Sequence, residues 1–102
     1  MQLKNAGIEM PRVFRKDKVK GSKRVDISLA TEMLVHATRK HYDIAVLVAG
    51  DEDYVPLVRA VQGEGALVHI WFVRDGLSPA LEQNADLFVD LEKVLFQDAG
   101  TV

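Results

Sequence analysis

Asp51, Glu52 and Asp53 follow Gly50 at the end of an apolar run that occupies residues 44–49. Three carboxylates in such close order repel one another, and a cation among them relieves that repulsion. Unbroken apolar character suits a strand buried on both faces of a parallel sheet, with helices on each side. Ligands of open parallel sheets bind just beyond the carboxyl ends of the strands, which is where these acids fall. The pattern predicts a metal-dependent site.

The elements that must position these acids are legible on either side. Residues 1–6 read as the last turn of a helix closed by Gly7. Residues 8–14 read as a short strand with Ile8 and Met10 on one face. Pro11 cannot donate a ladder hydrogen bond, so this strand belongs at a sheet edge or starts irregularly. Residues 15–25 form a basic loop broken by Gly21 and Ser22. Over 27–40, Ile27, Ala30, Met33, Leu34 and Ala37 recur at spacings of three and four, one apolar stripe of a helix. Arg39, Lys40 and His41 fall at its end, where cations favour the helix dipole.

Beyond the acids, the spacing predicts a helix over 54–62 with Pro56 in its first turn and Gly63 or Gly65 at its close. A strand follows over 67–73, and Asp75-Gly76 turns the chain. Ser78-Pro79 is a helix start, a hydroxyl cap before a proline at the first helical position. That helix ends near Ala85, and a last strand covers 87–91. The order βαβαβαβ points to a parallel sheet with right-handed crossovers.

At 102 residues the chain makes one domain, 1–102, with an ordinary hydrophobic content of 48%. It has no cysteine, which excludes disulfides, thiolate zinc sites and a cysteine nucleophile. No apolar run is long enough to span a membrane, and a cytoplasmic location is expected. The net charge of −2 conceals a polarity along the chain. Residues 1–24 hold eight Lys/Arg against two acids, and the remainder holds five against thirteen. A basic stretch on an acidic body suits a polyanion gripped by one part and metal ions by another. A solvated loop kept soluble by its lysines accounts for the same run equally well.

In order along the chain, Lys20-Gly21, Val25-Asp26, Gly50-Asp51-Glu52-Asp53-Tyr54, Ser78-Pro79-Ala80-Leu81 and Ala85-Asp86-Leu87-Phe88-Val89-Asp90-Leu91 resemble the NYN domains. That family includes LabA-like proteins and belongs to the wider PIN-like nuclease group. Its pattern is a Lys-Gly loop into Val-Asp and a helix, then a buried strand ending in Ser-Gly-Asp-x-Asp-Phe, then a Ser-Pro-x-Leu helix leading to Ala-Asp and a final strand. The resemblance spans about residues 5–92. It implies an α/β, three-layer Rossmann-like (PIN-like) fold with a mainly parallel sheet of about four strands.

Two departures stand out. The serine before Gly-Asp is Ala49 here, and the family's opening Asp-bearing strand and most of the next helix are missing, which reads as amino-terminal truncation. In the family that strand sits between the counterparts of 8–14 and 44–49. Either 8–14 closes directly on 44–49, or a second copy fills the gap. A homodimer, with or without exchanged elements, is therefore expected.

The resemblance implies a metal-dependent ribonuclease. Asp26, Asp51 and Asp53 would be catalytic, holding Mg²⁺ or Mn²⁺, hard ions that prefer carboxylate and water oxygens. Lys20, Lys23 and Arg24 would neutralise backbone phosphates of single-stranded RNA. Asp26 and Asp53 also suit the caps of the helices that follow them, and Glu52 faces solvent. Asp75 or Asp86 could replace the absent acid, although Asp86 fits the helix-to-strand connection. Loss of the first acid equally suits a non-catalytic RNA-binding or protein-interaction module. A receiver-like phosphoacceptor needs an acidic pair after the first strand, where this chain has bases.

Among the other candidates, His36 and His41 are five apart and do not share a helical face as zinc-binding pairs at four do. His69, Trp71 and Phe72 read as packed strand residues, and Ser78 as a cap with no histidine relay to activate it.

Overall fold

The computed structural model describes residues 11–15 and 25–97. Among these residues four strands form one parallel sheet in the order β1-β2-β3-β4. They are β1 (Arg12–Arg15), β2 (Ile44–Val48), β3 (Leu67–Phe72) and β4 (Leu87–Asp90). The connections carry helices α1 (Ile27–Thr38), α2 (Val55–Gly63) and α3 (Pro79–Asn84). Single 3₁₀ turns at Glu52–Tyr54 and Arg74–Gly76 precede α2 and α3, and a π-helical turn, Lys93–Gln97, follows β4.

The βαβαβαβ order holds as the sequence predicts. β1 lies directly beside β2, with Val13 opposite Val46 and Phe14 opposite Leu47, so β2 is paired on both sides within one chain. The first of the two expected arrangements is the one observed. Pro11 immediately precedes β1 at the edge of the sheet, the position its missing N–H allows.

Each strand pairs with the next strand in the chain, so right-handed crossovers carry α1, α2 and α3 to the same side of the sheet. α1 packs on α2 and α2 on α3. One row across the ladder, Phe14, Leu47, Ile70 and Phe88, points at these helices. It meets Met33 and Leu29 of α1, Val58 and Val61 of α2 and Leu81 of α3 in a single core. Ala45, Val46 and Leu47 are all fully buried, so β2 is covered on both faces, as its apolar run requires.

Hydrogen bonds fasten the edge opposite the acids. The Tyr42 hydroxyl donates to the Met33 carbonyl while its ring lies 5.6 Å from that of Phe14. Burial pushes the Tyr42 phenol up to about 12, against a smaller opposing pull from Arg12. The Asp86 carboxylate accepts from the Val68 N–H at 2.8 Å and from the Gln62 amide at 3.0 Å. Asp86 thus joins α2 to the starts of β3 and β4, which leaves it a structural residue at the far end from Asp51.

Candidate functional site

A parallel sheet brings all its strand-to-helix connections to one edge, and here that edge carries the acids. Asp26 lies at the end of the β1–α1 connection as the N-cap of α1. It has extended backbone, and its carboxylate accepts the Leu29 N–H at 3.2 Å. That cap satisfies one of the orphan donors of the first helical turn. Asp51 follows β2 and Gly50 and begins the 3₁₀ turn, without a capping hydrogen bond from its side chain.

Tyr54 links the start of α1 to the turn that carries Asp51. Its side chain is fully buried, and its hydroxyl accepts the Asp26 backbone N–H at 3.0 Å. Burial pushes the Tyr54 phenol above its ordinary value. The hydrogen bond from Asp26 pulls it down, whereas negative charge on both Asp26 and Asp51 pushes it further up. Both acids therefore act on one hydroxyl, although 25 residues separate them in sequence.

Gly50 permits the turn that presents Asp51. A Cβ there would collide with the edge of the Phe72 ring and lie 2.8 Å from the Gly76 carbonyl oxygen. The Gly50 carbonyl in turn accepts the Ser78 N–H at 2.9 Å, which holds the start of α3 against the end of β2. Ser78 is the cap the sequence predicts: its hydroxyl accepts the Leu81 N–H at 3.3 Å.

The third expected ligand stands apart. Asp53 is exposed on the 3₁₀ turn, and the residue at the N-cap of α2 is Tyr54, without a side-chain capping bond. Glu52 is exposed, as expected. Among the described residues no three His, Cys, Asp or Glu side chains lie close enough to hold one ion. Mg²⁺ keeps several waters and commonly takes only one or two protein carboxylates beside substrate phosphates. The Asp26–Asp51 pair fits that donor chemistry. Lys20, Lys23 and Arg24 lie outside the described residues.

The family model for the NYN domain matches residues 1–92. The chain belongs to the NYN domain family. A solved structure of a protein of unknown function from Vibrio parahaemolyticus is similar to it at 29% identity with a TM-score of 0.62. The likeness covers 87% of this chain and 56% of that one, so this NYN chain spans little more than half of that relative. No curated protein matches it. NYN domains are a nuclease-like family.

Sequence reasoning missed the Tyr54 hydroxyl. The NYN pattern has Phe at this position, and the extra oxygen was the available signal. Among the described residues no helix is long and apolar enough to cross a membrane.

Proposed function

We propose that this NYN domain is a metal-dependent ribonuclease whose centre is built on Asp26 and Asp51. The hydrogen bond by which Tyr54 holds the start of α1, and with it Asp26, to the turn that begins at Asp51 carries this reading. When bound, Mg²⁺ or Mn²⁺ would lower the pKa of a coordinated water and neutralise charge developing on a phosphodiester. Asp26 and Asp51 would supply carboxylate oxygens to that ion. Asp53, exposed on the same turn, would act through water or on the RNA-bound state. Lys20, Lys23 and Arg24 would hold backbone phosphates of single-stranded RNA, contacts that position the strand without reading its sequence.

A second reading, a non-catalytic RNA-binding or protein-interaction module, is favoured by the lack of a three-ligand group among the described residues. One experiment separates the two. End-labelled single-stranded RNA is incubated with the protein and Mn²⁺, beside an EDTA control and an Asp51→Asn variant. Metal-dependent cutting lost in the variant supports the nuclease. RNA retention without cutting supports the module.

A further inference from the structure

His36 and His41 take no part in the acidic site. A spacing of five separates two residues on a regular helix, yet their Nδ1 atoms lie 2.7 Å apart. The ring centroids are 4.9 Å apart and the planes are tilted by 41°. The end of α1 explains the meeting. Lys40 adopts φ +59°, its N–H donates to the Ala37 carbonyl at 3.0 Å, and the His41 N–H donates to the His36 carbonyl at 2.9 Å. These two bonds make a Schellman closure, which brings the third residue from the helix end against the second residue beyond it. That contact is commonly apolar. Here both partners are imidazoles, His36 half-buried and His41 exposed.

We propose that His36 and His41 form a bidentate site for a divalent transition ion, Ni²⁺ or Cu²⁺, independent of the acidic edge. Imidazole nitrogen suits these ions, whose tetragonal geometry sets neighbouring ligands at right angles. With metal–nitrogen bonds of about 2.0–2.1 Å, two such ligands stand about 2.9 Å apart, against about 3.4 Å for a tetrahedral Zn²⁺ pair. The observed separation is nearer the former, so the rings part less for a tetragonal ion. The ion takes the place of the hydrogen shared by the two Nδ1 atoms. The ring that carried it shifts to the tautomer protonated on Nε2, so a neutral pair binds without net proton release. The carbonyl end of α1 is the negative end of its dipole and favours the cation. The Lys40 ammonium is directed away, onto the Glu64 carbonyl.

The test is calorimetric titration of the untagged full chain with Ni²⁺ at pH 7.5, with His36→Gln, His41→Gln, His69→Gln and Asp51→Asn alongside. The expected result is binding that weakens at least tenfold in His36→Gln and in His41→Gln and is unchanged in His69→Gln, whereas Asp51→Asn removes only separate Ni²⁺ held at the carboxylates. In the unmutated protein, substoichiometric Ni²⁺ should broaden the imidazole resonances of His36 and His41 before those of His69. This second readout decides the matter if a variant does not fold. Absence of binding at millimolar Ni²⁺, binding that survives both histidine variants, or binding lost only in Asp51→Asn would overturn the proposal.

Discussion

The Tyr54 hydroxyl receives the Asp26 backbone N–H at 3.0 Å across 28 residues of chain. One oxygen thereby sets the start of α1 relative to the turn after β2, the two places from which the carboxylates come. A phenylalanine would fill the same volume but leave that N–H without its acceptor.

Tyr54→Phe is accordingly expected to cost about 1–2 kcal/mol, the usual penalty for an unsatisfied buried donor. Urea denaturation measures it. If the pair forms the catalytic centre, Mn²⁺-dependent RNA cleavage by fully folded Tyr54→Phe falls on the order of tenfold or more, because small displacements of reacting groups are costly. A stability loss with unchanged cleavage would reduce Tyr54 to a packing residue.

Asp26 carries a cap and, on the proposed reading, a metal ligand, and two substitutions separate these roles. Asn caps nearly as well as Asp, so Asp26→Asn should keep stability within about 0.5 kcal/mol, while Asp26→Ala should lose about 1 kcal/mol. Both should abolish metal-dependent cleavage. Thermal melts and the RNA assay together check the pair.

Two glycines predict opposite signs. Gly50→Ala forces a methyl against the Phe72 ring and the Gly76 carbonyl. An expected loss of about 2–3 kcal/mol follows from overpacking. Gly63 closes α2 with nothing within 4 Å of a Cβ. Gly63→Ala should therefore gain about 0.5–1 kcal/mol through helix propensity and a less flexible unfolded chain. Chemical denaturation of both variants tests the contrast.

Alkaline pH should weaken the fold before it touches the arginines. The Tyr42 phenol rises from 10.0 to about 12 on folding, so between these values the native state holds a proton that the unfolded chain has released. Stability is full below pH 10 and falls as pH rises towards 12. Tyr54 shifts in the same direction and adds to the fall. Tyr42→Phe should shallow the decline without removing it, as followed by urea midpoints between pH 9 and 11.

The sequence made the architecture legible because its signals were local. The apolar run at 44–49, the three-and-four spacing in α1, and Ser78-Pro79 each need only a short window to read. The strand expected over 8–14 meets β1 at 12–14, and residues 8–10 lie outside the described residues. Asp26 and Asp51 were legible as residue types in a family pattern. What tied them together was not, because Tyr54 looks like an ordinary helix-start aromatic until a partner 28 residues away is known. The contact between His36 and His41 was hidden for a similar reason. Their spacing was measured on a regular helix, whereas Lys40 at φ +59° folds the chain back on itself.

The sheet order β1-β2-β3-β4 has a kinetic consequence. Every ladder joins a strand to its immediate successor, so closing it needs only the loop of a single crossover helix and no strand must await a distant partner. Each parallel pairing still spans a crossover, 33 residues from Arg12 to Ala45 against 18 from His69 to Leu87, so the later ladders close at a lower entropic cost than the first. As the chain leaves the ribosome, β1 and β2 can pair once α1 has been made, and each later βα unit can add to an existing edge.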